Sequence, residues 1–254
     1  MQSKFFKIKL CKRLKKYKIR MIRKLKKERF KIKQRKDEIE TKKRKKKNKM
    51  SIILLIFGII IFFYPLISKF IYQKNLTYTI DSYIEKINDM EEKEIDKQKN
   101  EYEKYNKMLL DESLEKVDLL KTGEILGYIQ IDKINVYLPI YEGTDDNTLH
   151  KGIGHLEKSS LPTKKYSYHS ILVGHTGIST RKFFDDLPNL KVGDDFVVTI
   201  LNEKFKYKIY EIKKVLPHQT KDLKIQENRK LVTLVTCTPK FVNSHRLLVM
   251  GKEA

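Results

Sequence analysis

Cysteine is scarce in this chain: two residues in 254, Cys11 and Cys237. So few thiols exclude a disulfide framework as the source of stability. Acidic residues are nearly missing from one end, where residues 1–49 hold 25 lysines and arginines but only four aspartates and glutamates. Beyond them the balance is 30 basic against 28 acidic, so the formal charge of +23 belongs to a tail and not to a folded domain. Glycine and proline are absent from Leu76 to Leu120, which excludes a turn-rich segment there. Metal-ligand spacing is also lacking. One cysteine in the second half and scattered histidines do not make a zinc pattern, and the caspase-type and papain-type arrangements around a nucleophilic cysteine are absent.

What is present begins with an apolar run. "IILLIFGIIIFFYPLIS" (Ile52–Ser68) carries no charge, and the apolar character continues through Phe70 and Ile71. As a helix, Ile52 to Ile71 spans roughly 30 Å, the thickness of a bilayer's hydrocarbon core. It lies too far from the start, and lacks the small-residue cleavage site, to be a secretory signal. Pro65 would kink such a helix without forbidding it. Basic flanks stay cytoplasmic, so a single-pass anchor is expected with its N-terminus inside and the rest of the chain outside. Cys11 and Cys237 then lie on opposite sides and cannot pair. The tail, with apolar Phe5, Phe6, Ile8, Leu10, Leu14, Ile19, Ile22 and Leu25 at loosely helical spacing, suits an amphipathic helix on anionic lipids. It contains no recognisable nucleic-acid module, and no nucleic acid is expected as partner.

Ile84, Ile87, Ile95, Tyr102, Tyr105 and Leu109 repeat mainly at three, four or seven residues, which predicts one or two helices acting as spacer or as a cover on the domain. From about Gly123 short β-rich runs follow: Ile125–Ile131, Ile134–Tyr141, Ser170–Gly174, Asp195–Leu201, Phe205–Ile209, Leu231–Thr236 and Arg246–Met250. The alternation of Phe205, Tyr207 and Ile209 with lysines flips phase at Tyr210, which predicts a bulge. Asn202-Glu203 suits a hairpin, and Lys182–Leu190 a helical turn. About eight strands with so little helix between them point to an all-β, closed or nearly closed barrel. Four regions result: a basic cytoplasmic tail (1–49), a membrane helix (50–72), an extracytoplasmic helical linker or cover (73–122) and a β-barrel domain (123–254).

Cys237 ends an apolar run in "TLVTCTP". A thiol with its ordinary pKa is only a few per cent thiolate at pH 7, so chemistry at Cys237 needs a base or cation nearby and a stabiliser for an oxyanion. "LVGHTGIS" presents His175 after a strand, between glycines. Arg246 opens the strand that follows Cys237 after the "TPKFVNSH" loop, and antiparallel neighbours would set the two side by side. A buried, inert cysteine in a peptide-binding adaptor is the competing reading of the same residues.

The segments "LVTLVTCTPKFVNSHRLLVMG", "ILVGHTGIS" and "GIGHLEKSSLP" together resemble the sortase family, in particular its class C, pilus-assembling branch, over roughly Gly127 to Lys252. "YNKMLL" (Tyr105–Leu110) is similar to the class C N-terminal helices. The resemblance implies an eight-stranded barrel and a cysteine transpeptidase without metal or organic cofactor. Cys237 would be the nucleophile attacking the Thr–Gly bond of an LPxTG-like sorting signal, His175 the general acid and base, and Arg246 the group that holds substrate and oxyanion. Thr236, Thr238, Asn243 and His245 would be substrate contacts. The acceptor amine would be a pilin lysine, giving pilus assembly, or a peptidoglycan cross-bridge, giving attachment of surface proteins to the cell wall. Class C members carry an Asp-Pro-aromatic lid, for which Asp118-Leu119-Leu120 is the nearest counterpart, and Lys240-Phe241 stands where an aromatic–glycine pair is common.

Overall fold

The computed structural model describes residues 2–110, 120–226 and 229–254, the segment up to residue 17 and residue 19 by backbone alone. Asp118 and Leu119 of the expected lid remnant therefore lie outside the described residues. The chain divides into two compact units, residues 1–64 and 65–254.

The first unit is helical throughout its described length and forms most of α1 (Gln2–Asp89). Its apolar stretch is long enough to cross a membrane, and none of that stretch is buried by protein. Lipid is the solvent that such a surface suits. Ile22 and Leu25 of the expected amphipathic face are exposed; Phe5, Phe6, Ile8, Leu10, Leu14 and Ile19 lie outside the described side chains.

In the second unit α1 continues through Pro65 and its periodicity changes character. Leu76, Ile80, Tyr83 and Ile87, spaced four, three and four, form a buried seam, the stripe a helix needs to lie on a core. The Tyr83 hydroxyl donates to Leu126 O at 2.7 Å and accepts from Leu201 N at 2.9 Å. Next, α2 (Glu92–Met108) buries Ile95 and Asn106. The Asn106 amide donates to Leu161 O at 2.8 Å and to Thr163 Oγ1 at 3.1 Å, and its oxygen accepts from Leu161 N at 2.7 Å. These hydrogen bonds and the buried seam pack both helices against the barrel.

Eight strands follow: β1 (Ile125–Ile131), β2 (Val136–Glu142), β3 (Ile153–His155), β4 (His169–Val173), β5 (Asp195–Ile200), β6 (Glu203–Val215), β7 (Leu231–Thr238) and β8 (His245–Glu253). They close into a barrel in the order β1-β2-β3-β4-β7-β8-β6-β5. β2 with β3, and β4 with β7, run parallel; the other pairs are antiparallel. The expected bulge is present between Ile209 and Glu211. Three details differ from expectation. Ile200 pairs with Glu203, so the hairpin tip is Leu201-Asn202, with Leu201 at φ +51°. The run expected over Ile134–Tyr141 begins instead as a 3-10 turn (Asp132–Ile134), and left-handed Asn135 then redirects the chain into β2. β3 and the six-residue α3 (Asp146–Lys151) carry no periodicity long enough to read; Asp145 caps α3 by accepting from Asn147 N and Thr148 N.

Asn106→Ala would orphan the buried amide and carbonyl of Leu161. Each such group costs about 1–3 kcal/mol, so a thermal unfolding midpoint several degrees below wild type is expected, measured by calorimetry on the full chain.

Candidate active site

Two strand pairings assemble the candidate residues. Cys237, half-buried near the end of β7, is the direct antiparallel partner of Arg246 at the start of β8. Directly opposed residues have Cα atoms about 5 Å apart and side chains on the same face. On the other side, β4 runs parallel to β7 with Val173 opposite Val235. Beyond that pair Gly174 N donates to Val235 O at 3.0 Å, and Thr236 Oγ1 donates to Gly174 O at 2.7 Å. Continued for two residues, this register brings His175 level with Cys237.

Alternation decides which face they occupy. Val232, Leu234, Leu247 and Val249 belong to the main core, whereas Ile171, Val235, Leu248 and Met250 form a second cluster on the opposite side of the sheet. With a period of two, Cys237 follows Val235, Arg246 follows Leu248, and His175 follows Ile171 and Val173. Cys237 and Arg246 therefore issue onto one face, above the second cluster, and the alternation of β4, continued two residues past its end, sets His175 toward the same face.

The loop that carries His175 is tied down. Gly174 packs so tightly that a Cβ there would meet Phe184 Cδ2 at 2.6 Å. The His175 carbonyl accepts from Phe184 N at 3.1 Å. Asp185, its side chain only 5% exposed, accepts from Gly177 N at 3.1 Å, Phe183 N at 3.2 Å and Lys240 Nζ at 2.7 Å. Burial pulls the Asp185 carboxyl upward, but the Lys240 ammonium and the two amides outweigh it and hold the pKa below its ordinary value. Lys240 lies in the loop between β7 and β8. At Gly177, φ +83°, an added Cβ would meet Phe241 Cδ1 at 3.3 Å and Lys240 Cγ at 3.4 Å. The Asp185–Lys240 bridge thus clasps the loop after His175 to the loop after Cys237.

His175 is half-buried, and its ring centroid lies 5.6 Å from that of His150, tilted by 41°. Its pKa is lowered, first by burial and then by His150 and Arg181, with Asp146 opposing. A neutral imidazole, competent as a base, is thereby favoured at neutral pH. Arg246 Nη1 donates to the carbonyls of Asn243 and His245, both at 3.2 Å. Among the described residues no carboxylate pairs with this guanidinium, so its charge stays available to an anion.

The four expected substrate contacts separate. Thr236 lies buried on the opposite face from Cys237, its hydroxyl committed to Gly174 O; it positions the His175 loop. Thr238 is buried opposite His245. Asn243 is exposed at φ +59°, and His245 Nδ1 lies 2.9 Å from Ser244 Oγ. Asp185, Lys240, His150 and Arg181 escape sequence reasoning because their partners lie far along the chain. Among the described residues no three His, Cys, Asp or Glu side chains cluster closely enough to hold a metal ion.

The sortase domain family model matches residues 129–254. The crystal structure of Clostridium perfringens sortase C with the C-terminal cell wall sorting motif is 41% identical, with a TM-score of 0.65 over 70% of this chain and 98% of that one. The chain belongs to the sortase family. A sortase C1 structure from Streptococcus agalactiae is equally 41% identical, with a TM-score of 0.63, covering 70% and 98% of the two chains. Sortase D of Bacillus subtilis (strain 168) is 32% identical over 136 residues, 52% of this chain and 66% of that protein. The match thus spans just under two thirds of that curated relative. Within the family, the solved sortase C structures support the class C likeness read from the sequence.

The Asp185–Lys240 clasp has a pH signature. A carboxylate whose folded pKa is depressed stabilises the fold above its unfolded pKa and loses that stabilisation as pH falls through the folded value. Lys240→Ala should therefore lower the unfolding midpoint at neutral pH, and the gap to wild type should narrow below about pH 4. A gap unchanged at pH 2 would show that the contact is not electrostatic.

Proposed function

We propose that this sortase is a membrane-anchored cysteine transpeptidase that cleaves an LPxTG-like sorting signal and passes the acyl group to an amine. The observation that carries the reading is the pairing of Cys237 with Arg246 beside the His175 loop, where no carboxylate among the described residues pairs with the guanidinium. In the proposed chemistry the neutral His175 imidazole takes the proton of the Cys237 thiol, and the resulting thiolate adds to the Thr carbonyl carbon of the Thr–Gly bond. Negative charge collects on the carbonyl oxygen, where the Arg246 guanidinium stabilises it. The C–N bond breaks, the leaving amine takes its proton from the His175 imidazolium, and a thioester on Cys237 remains. An incoming amine adds to the thioester, His175 accepts its proton, and C–S cleavage releases the thiolate.

In this reading residues 1–49 form a cytoplasmic tail held by anionic lipids, 50–72 cross the membrane, and 73–122 cover the barrel of 123–254 outside the cell. The excess of lysine and arginine before the apolar run supports that direction. The sortase C neighbours favour pilins as substrate and a pilin lysine as acceptor. Attachment of surface proteins to a peptidoglycan cross-bridge is the second reading within the class, and presenting both amines to one acyl-enzyme separates them.

With an LPxTG-type peptide and an amine, Cys237→Ala should abolish turnover by the full chain. Arg246→Ala should reduce kcat by roughly 10²–10³-fold, the scale for losing one oxyanion donor. Equal turnover by the Cys237 variant would overturn the proposal. The acid limb of kcat/KM set by His175 should fall below a histidine's ordinary value near 6.5. It should move lower still in Asp146→Asn, which removes the acidic neighbour that raises it.

A further inference from the structure

Immediately after the apolar run, the chain is built into the surroundings of His175. Leu66, Ile67, Phe70 and Ile71 are exposed and apolar, and the next residue, Tyr72, turns to the barrel. Its hydroxyl donates to His150 O at 2.6 Å and to Lys151 O at 3.2 Å. These carbonyls close α3, where the last turn leaves acceptors without intrahelical donors, and Tyr72 caps them. Arg181 Nη1 caps the same His150 carbonyl at 2.8 Å. The Arg181 guanidinium also lies 4.8 Å from the centre of the Tyr72 ring, and that ring packs nearly perpendicular to buried Phe183, their centroids 5.8 Å apart. Phe183 sits on the loop that carries His175, and the His150 ring lies beside that of His175, tilted, with the centroids 5.6 Å apart. Contacts to α3, to Arg181 and to Phe183 thus connect one side chain at the end of the apolar helix to both sides of the candidate histidine.

We propose that Tyr72 is a positioning residue for His175: by capping α3 and bracing Arg181, the end of the membrane helix holds His150 and Arg181 against the imidazole. This rests on the reading of His175 as acid and base. It makes the start of the second unit, just past the apolar run, part of the scaffold of the active site. The groups that act on His175 are then His150 and Asp146 from α3 and Arg181 from its own loop, with the Cys237–Arg246 pair on the adjoining strands β7 and β8. Releasing Tyr72 frees His150 and Arg181, which lower the His175 pKa, while Asp146 stays anchored at the opposite end of α3 beside the Asp145 cap.

The test uses the full chain in lipid nanodiscs with Cys11→Ser, which leaves Cys237 as the single thiol. The rate of Cys237 alkylation by iodoacetamide is followed against pH for the parent, Tyr72→Phe, Tyr72→Ala and the control Tyr64→Phe, whose ring is exposed within the apolar run. His175→Ala identifies the histidine-dependent limb. Tyr72→Phe, which keeps the ring and loses the hydroxyl, should move that limb to higher pH and lower the transpeptidation kcat about threefold or more with KM unchanged. Tyr72→Ala should do more of the same, and Tyr64→Phe should match the parent. Parent-like profiles and kcat in Tyr72→Phe, at an unchanged melting midpoint, would overturn the inference, and that variant decides even where Tyr72→Ala fails to fold. Absence of turnover by the parent would instead count against the proposed reaction, because alkylation reads the histidine without any substrate.

Discussion

The site depends on one register. β7 lies between β4, which runs parallel to it, and β8, which runs antiparallel, and both neighbours are aligned by side chains that cannot slip without exposing a buried face. Moving β7 by one residue would send Cys237 to the interior and bring Thr236, with its hydroxyl, out to the surface. The hydroxyl of Thr236 pins this alignment by binding Gly174 O, one residue before His175. The same strand therefore presents the thiol on one face and fixes the histidine loop from the other.

Around that register the loops are held by charge. Asp185 is almost wholly buried, yet two backbone amides and Lys240 keep it ionised. The loop following the thiol and the loop following the imidazole are thereby joined by an ion pair. Arg246 is treated differently: backbone carbonyls of its own turn orient it, and its charge is left for an incoming anion. A desolvated imidazole beside His150 and Arg181 complements this, since burial first, and then these neighbours, favour its neutral form.

Much of this was legible in the residues themselves. The eight-stranded barrel follows from short alternating runs and scarce helix, and the bulge at Tyr210 from a change of phase. The Cys237–Arg246 pair follows from a loop length. β3 escaped because three residues show no alternation, and α3 because a six-residue helix shows no amphipathic period. Leu201 at the hairpin tip escaped because its left-handed backbone is stabilised by tertiary contact, its amide bonding Tyr83 far along the chain. Thr236 was expected at the substrate from the family resemblance, which carries no register, whereas its hydroxyl binds Gly174 O from the opposite face of β7. The network of Tyr72, His150 and Arg181 joins residues up to 109 positions apart and leaves no local trace.

The most direct test of the central claim is the intact mass of the full chain after mixing with an LPxTG-type peptide in the absence of any amine acceptor. The account predicts a gain equal to the peptide's N-terminal fragment, mapped to Cys237 and removed by hydroxylamine, as a thioester requires. No adduct, or one carried by another residue, would contradict it.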